Sequence, residues 1–142
     1  MSVKAILQSK GASVLSVTGD MSVSEAVAML AKHRIGALPV IDEGAVLGIF
    51  SERDVIYCLA MDGAAALERP VSDVMTAPAM TVDSECAVLS ALSLMSRRRI
   101  RHLPVVDAEG LVGFISIGDL VKFRIEKIES EAEAMRSYIQ SA

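Results

Sequence analysis

Two seven-residue segments carry the clearest chemical possibility in this chain: Gly48-Ile-Phe-Ser51-Glu-Arg-Asp54 and Gly113-Phe-Ile-Ser116-Ile-Gly-Asp119. Each runs from an apolar, strand-like stretch into the start of a helix. The first turn of a helix presents free backbone N–H groups and the positive end of the dipole, which suits an anion such as phosphate. A serine hydroxyl there adds a donor, and an aspartate three residues on can accept from ribose hydroxyls. The same Ser-x-x-Asp spacing also makes an N-terminal cap. Repetition does not separate the two readings, since two copies of a helix need two caps.

The copies diverge where a ligand would discriminate between them. One reads His33-Arg34-Ile35-Gly36-Ala37, the other Arg98-Arg99-Ile100-Arg101-His102. Arg97 and Arg98 suit the solvated face of the preceding helix. Arg101 and His102 lie at a helix–strand junction, within reach of a phosphate at a neighbouring helix start. Gly36 and Ala37 offer no charge there, although Arg53 follows Ser51 directly. The second site is therefore expected to take more phosphates or hold them harder. Neither His33 nor His102 has a metal-ligand partner at suitable spacing, and no serine sits in a nucleophile-elbow pattern. The reading is of a protein that is not an enzyme, with no catalytic residues and no metal site.

These residues sit in an internal repeat. Shifting the 142-residue chain by 65 aligns 14–59 with 79–124 without a gap, with twelve identities in 46 positions. The matches include punctuation such as Pro39/Pro104 and Gly48/Gly113 as well as aliphatics, so chance is a poor account. In the first unit Val14 to Val17 reads as extended and Gly19-Asp20 as a turn. Ser22 and Glu25 form a capping box. Val23, Ala26, Val27, Leu30 and Ala31 fall on one side of the helix that follows. Leu38 to Ile41 and Val46 to Phe50 read as a hairpin, with Pro39 favouring a strand start or edge. Ser51 opens a second helix. The second unit repeats this, giving β-α-β-β-α twice in an α+β fold. About 46 residues is too few for an independent core, so the units are expected to pack face to face.

The division expected is 1–13 as a short helix and turn, 14–62 as the first motif, 63–73 as linker, 74–124 as the second motif and 125–142 as a C-terminal amphipathic helix. Residues 62–70 read as loop, with Pro70 at the first position of a short helical turn. Val121, Ile125, Ile128, Ala132, Met135 and Ile139 are spaced 4, 3, 4, 3, 4, an a/d seam that packs on its own module or on another subunit. With 52% apolar residues, the chain is not a disordered one. A formal charge of −4 disfavours general nucleic-acid binding. No 18-residue apolar run is present, so no membrane span is expected. With no secretory leader, Cys58 and Cys86 are expected to be reduced core cysteines in a cytoplasmic protein. With 4% aromatic residues and no tryptophan, an adenine ring would find little aromatic stacking.

The chain resembles the tandem CBS-domain family, named after cystathionine beta-synthase, in its standalone paired form. The marks are the repeat itself, Ile35-Gly-Ala-Leu-Pro-Val-Ile-Asp42, Ile100-Arg-His-Leu-Pro-Val-Val-Asp107, both Gly-x-x-Ser-x-x-Asp segments, and Val74-Met-Thr76 as lead-in. The resemblance implies a Bateman module: two motifs related by a pseudo-two-fold axis, commonly dimeric, acting as a regulatory sensor. It implies clefts for AMP, ADP or ATP; the alternative is a structural or protein-interaction module whose clefts are empty or take a different ligand, such as NAD(H) or an S-adenosyl compound. Carried over by position, Asp119 and Asp54 would hold ribose hydroxyls and Ser116 and Ser51 the phosphates. Arg101 and His102 would line the phosphate side of the second cleft, with Thr76, Ala79 and Met80 at its adenine pocket. Ser16, Val17, Gly36 and Ala37 would be the equivalents in the first. The resemblance further implies a homodimer; the C-terminal helix beyond the module is the candidate handle for a separate target protein. One departure is Ala87, where a Ser or Thr cap is missing.

Overall fold

The computed structural model describes residues 1–11 and 13–141. Of the expected terminal segments, Ala12 and Ala142 lie outside it. The first unit comprises β1 (Val17–Thr18), α2 (Val23–His33), β2 (Ala37–Asp42), β3 (Ala45–Ser51) and α3 (Glu52–Asp62). The second comprises α5 (Val88–Arg98), β4 (His102–Asp107), β5 (Gly110–Ser116) and α6 (Ile117–Ser141). Ahead of the first unit lies α1 (Val3–Lys10); between the units lie a 3₁₀ helix (Gly63–Glu68) and α4 (Val71–Val74). The fold is α+β, with two matching motifs packed together where β3 and β5 approach each other.

The sheets match residue for residue under the 65-residue shift. The β2–β3 hairpin is irregular at Val40/Ile41 and β4–β5 at Val105/Val106. β1 is only two residues long and runs parallel to β2, shorter than the expected Val14–Val17. In the second unit it shrinks to a bridge, Val82 opposite Val105. Proline explains both. Val82 N–H donates to Pro104 O at 3.1 Å, so the nitrogen of Pro104, which carries no hydrogen, faces the same short partner. The parallel ladder stops there and the antiparallel one is undisturbed. Pro39 thus sits in the middle strand of three rather than at an edge.

The helix starts show how the units are tied. Ser22 Oγ accepts from Glu25 N–H at 3.1 Å, but Glu25 returns its carboxylate to the serine hydroxyl rather than to the Ser22 backbone, so the expected box is half made. Ala87 has no side chain to offer, and the Met1 carbonyl accepts from Val88 N–H instead, at 3.1 Å. The counterpart in the first unit is Arg69 O, accepting from Val23 N–H at 2.9 Å. Each lead-in segment therefore caps a motif helix and then packs beneath it. Val3 and Ile6 of α1 enter the second core with Val88, Ala91, Met95, Leu103, Ile115 and Leu120. Ala66 and Val71 enter the first with Val23, Leu38, Val40 and Phe50. The expected loop at 62–70 is thus largely helical, because Ala66, at zero exposure, fills the space beside α2 and α3. Pro70 stands at the N-cap of α4, its ψ of 147° being extended, instead of at the first helical position.

On α2, Val23, Ala26 and Leu30 are buried as expected, while Ala31 is exposed. Cys58 is buried, Cys86 half-buried, and both are free thiols. Among the described residues, no helix is long and apolar enough to cross a membrane.

Gly48 and Gly113 hold the lead-ins close. A Cβ on Gly48 would lie 2.5 Å from the Thr76 carbonyl oxygen, where Ile49 and Thr76 exchange backbone hydrogen bonds of 2.9 Å. A Cβ on Gly113 would press on the Leu7 side chain. Backbone cannot yield as a leucine rotamer can. Gly48→Ala should therefore cost about 3 kcal/mol and Gly113→Ala about 1 kcal/mol, as overpacking usually does. Chemical denaturation of the two variants checks both the order and the gap.

Candidate functional site

Both Ser-x-x-Asp segments are reciprocal helix caps. Asp54 N–H donates to Ser51 Oγ at 3.4 Å and Ser51 N–H to Asp54 Oδ2 at 2.9 Å. Asp119 N–H donates to Ser116 Oγ at 3.1 Å and Ser116 N–H to Asp119 Oδ2 at 2.8 Å. The pairs differ in what capping leaves over. Asp54 is 7% exposed, takes the Ser51 hydroxyl at Oδ2 and accepts from Thr76 Oγ1 at Oδ1, at 2.8 Å. Its acceptor capacity is largely spent inside the fold. Asp119 keeps 27% of its side chain exposed, and among the described residues its Oδ1 has no partner. The Ser116 hydroxyl likewise has no acceptor among them.

Two cavities open beside these caps, sharing Gly36 and His102. The one at Ser116 and Asp119 measures about 470 Å³ and is closed by Val14, Leu15, Ala37 and Phe114. Lys10 and Arg34 supply its cations. The one at Ser51 measures about 110 Å³ and holds Glu52, Arg53, Thr76 and Arg101. Small-molecule sites run from roughly 300 to 1,000 Å³, so only the first has the room on its own. This grouping departs from the expected one, which put Arg101 and Thr76 with Asp119. Each helix start bonds the junction of its own motif, Glu52 N–H donating to Gly36 O at 3.0 Å and Ile117 N–H to Arg101 O at 2.8 Å. Across the cleft, the start of α6 meets the α2–β2 junction and that of α3 the α5–β4 junction. Val17 is 2% exposed in the core. Ser16, Ala79 and Met80 line neither cavity.

A CBS-domain family model matches residues 3–61 and 71–126. The chain belongs to the CBS-domain family. A CBS-domain protein from Agrobacterium tumefaciens is similar in structure, with a TM-score of 0.83 and 42% identity, over 87% of this chain and 99% of that one. The CBS domain pair of protein MJ0100, in complex with 5-methylthioadenosine and S-adenosyl-L-methionine, is 28% identical with a TM-score of 0.76, over 87% and 98%. CBSX2 in complex with AMP is 28% identical with a TM-score of 0.70, over 80% and 88%. CBS domains are non-catalytic regulatory modules. In inosine-5'-monophosphate dehydrogenase from Mycobacterium tuberculosis, for instance, the matching stretch is 19% of the enzyme.

Several lining residues of this CBS module escaped the sequence reading. A strict 65-residue shift of Ala79 and Met80 lands on Val14 and Leu15, which do line the larger cavity, so that signal was available. Arg34 ends α2 in the left-handed region, φ 52°, as Arg99 ends α5 at 55°. Of the two, only Arg34 lines one of these cavities. Phe114 stacks on His102, with centroids 5.6 Å apart and planes 9° apart. The cleft therefore has one aromatic side, although the composition leaves little aromatic stacking elsewhere. Lys10 has no signal in the sequence. Its ammonium donates to Phe114 O at 2.8 Å and to Asp119 Oδ2 at 2.7 Å, across 109 residues of chain.

Lys10 also sets the charge of the site. Burial pushes the Asp119 carboxyl up, but the Lys10 ammonium and the Ser116 N–H outweigh it and hold the group below its ordinary value. Burial, with Arg101 and Lys10 nearby, pushes His102 down, so its imidazole is uncharged at neutral pH. It offers the cleft a ring face and one N–H. In Lys10→Met the burial remains without the ammonium, and the Asp119 pKa should rise, as carboxyl NMR titration would show. Since the folded value lies below the unfolded one, the stabilisation is present above about pH 4 and lost as pH falls through the folded value. The stability gap between wild type and variant should close on acidification through that window.

Proposed function

We propose that this protein is a regulatory module that binds an adenine nucleotide in the cleft at Asp119. The observation that carries the reading is the leftover valence there. A half-exposed carboxylate with an open oxygen suits a ribose diol, and it lies beside a serine hydroxyl and a helix start suited to phosphate. The stacked rings of Phe114 and His102 give the cleft an aromatic side that suits a base. The AMP complex of CBSX2 supports the chemistry. The complexes of MJ0100 support a second reading, in which an S-adenosyl compound takes the same cleft. Lys10 and Arg34 outnumber Asp119 and leave the cleft net positive, which favours a phosphate over a sulfonium.

Of the residues nominated from sequence, Asp119, Ser116, His102, Gly36 and Ala37 belong to this primary site in our reading. Ser51, Arg53, Thr76 and Arg101 form a smaller second compartment, lined also by the Glu52 carboxylate, in which the two arginines suit additional phosphates of ADP, ATP or NAD(H). Asp54 serves structure. We infer a homodimeric sensor of energy or metabolite state that acts on a separate target. The two unpaired cysteines suit a reducing compartment such as the cytoplasm.

Calorimetric titration tests this. AMP should bind wild type, and Asp119→Asn should weaken it about tenfold or more, as loss of a charged hydrogen-bond acceptor does. Asp54→Asn should leave AMP affinity nearly unchanged while lowering the melting temperature. Arg101→Ala should weaken ATP more than AMP. Absence of binding of AMP, ADP and ATP up to millimolar concentration overturns the nucleotide reading, and binding of S-adenosyl-methionine in their place establishes the second one.

A further inference from the structure

The outer part of α6 is an unpartnered apolar face. Leu120 is fully buried and Phe123 packs on the second core, so the module itself nucleates the helix. Beyond that, exposure of the seam rises from 42% at Val121 through 49% at Ile125 and Ile128 to 59% at Met135 and 66% at Ile139. Their spacing alternates by four and three, which puts Ile125, Ala132 and Ile139 at a positions and Val121, Ile128 and Met135 at d positions of a heptad.

The flanking charges say what covers this seam. In that frame Lys122, Glu129 and Arg136 occupy e positions, and Arg124 and Glu131 occupy g positions. In a parallel pair of such helices each g residue meets the e residue five positions on in its partner. Arg124 then meets Glu129 and Glu131 meets Arg136, attractive contacts made twice over by the two-fold axis. Turned antiparallel, with all six seam residues matched, the same helices set Glu129 against Glu129, Glu131 against Glu131 and Lys122 against Arg136. Every one of those is a like-charge contact. The competing intrachain pairs, Lys127 with Glu131 at 3.9 Å and Arg136 with Glu133 at 3.7 Å, are exposed and weak.

We propose that α6 beyond Phe123 pairs in parallel with the same helix of a second copy of this chain, as a short two-stranded coiled coil. The pairing is independent of the nucleotide reading. It brings the second CBS motifs of two modules side by side at the base of the coil, where α6 leaves each core.

The test uses the full chain. Oxidation of Met135→Cys, in a Cys86→Ser background, should give a covalent dimer, since position 135 meets its own copy only in the parallel arrangement. The antiparallel one sets Met135 opposite Ile125. In sedimentation, Glu129→Arg should weaken the dimer about tenfold, because two attractive contacts become repulsive. Arg124→Glu/Glu129→Arg, which exchanges the charges, should restore it. A wild-type monomer or trimer overturns the proposal. So does cross-linking of Ile125→Cys to Met135→Cys with none of Met135→Cys to itself, or failure of the exchanged pair to restore the dimer.

Discussion

Val3 and Ile6 lie at 0% and 4% exposure in a core whose other walls are built from residues 88 to 120. That burial, with its counterpart at Ala66 and Val71 in the first core, is the constraint on which the rest of the molecule depends. A unit of about 46 residues leaves one end of its core uncovered. The gap is closed in each case by the segment that precedes the other motif in the chain. The lead-ins also supply the carbonyls that satisfy α2 and α5 at their first N–H groups. Neither motif can therefore be removed without opening the other.

The exchange has a chemical consequence. An eight-residue helix spans about 12 Å, and α1, anchored at Val3 under the second motif, ends with Lys10 at Asp119. The element that completes the second core thus places a cation in the second cleft. In the first motif the equivalent lead-in ends differently, delivering the Thr76 hydroxyl to Asp54. Two caps with the same backbone geometry come to hold opposite states, one carboxylate saturated by the fold and the other with an oxygen open to solvent. The asymmetry of the clefts arises less from the motifs than from what is threaded between them.

Much of this was legible in one sequence because the signals are local or periodic. The hairpins follow from Leu38 to Phe50 and their copies, α6 from its 4-3 spacing, and the cap at Ser51 from Ser-x-x-Asp. The place of Pro39 in a middle strand is not legible, since which side of a proline meets a neighbour is settled by pairing. The 3₁₀ helix at 63–68 is not legible locally, because its one decisive residue, Ala66, is informative only through what it touches. The site was legible in part. Asp119, Ser116, His102, Gly36 and Ala37 do line one cavity, while Arg101 and Thr76 line the other.

The sequence by itself determined that there are two β-α-β-β-α units, where their helices begin, and which junctions differ in charge. These depend on residues within about ten positions of one another, and a 65-residue shift exposes them twice over. Tertiary structure alone decided which junction faces which helix start, that Lys10 reaches Asp119, and that Asp54 is closed while Asp119 is not. Those outcomes depend on contacts across the whole length of the chain. They are set by how the two cores exchange their lead-in segments, and no spacing within a single unit encodes that exchange.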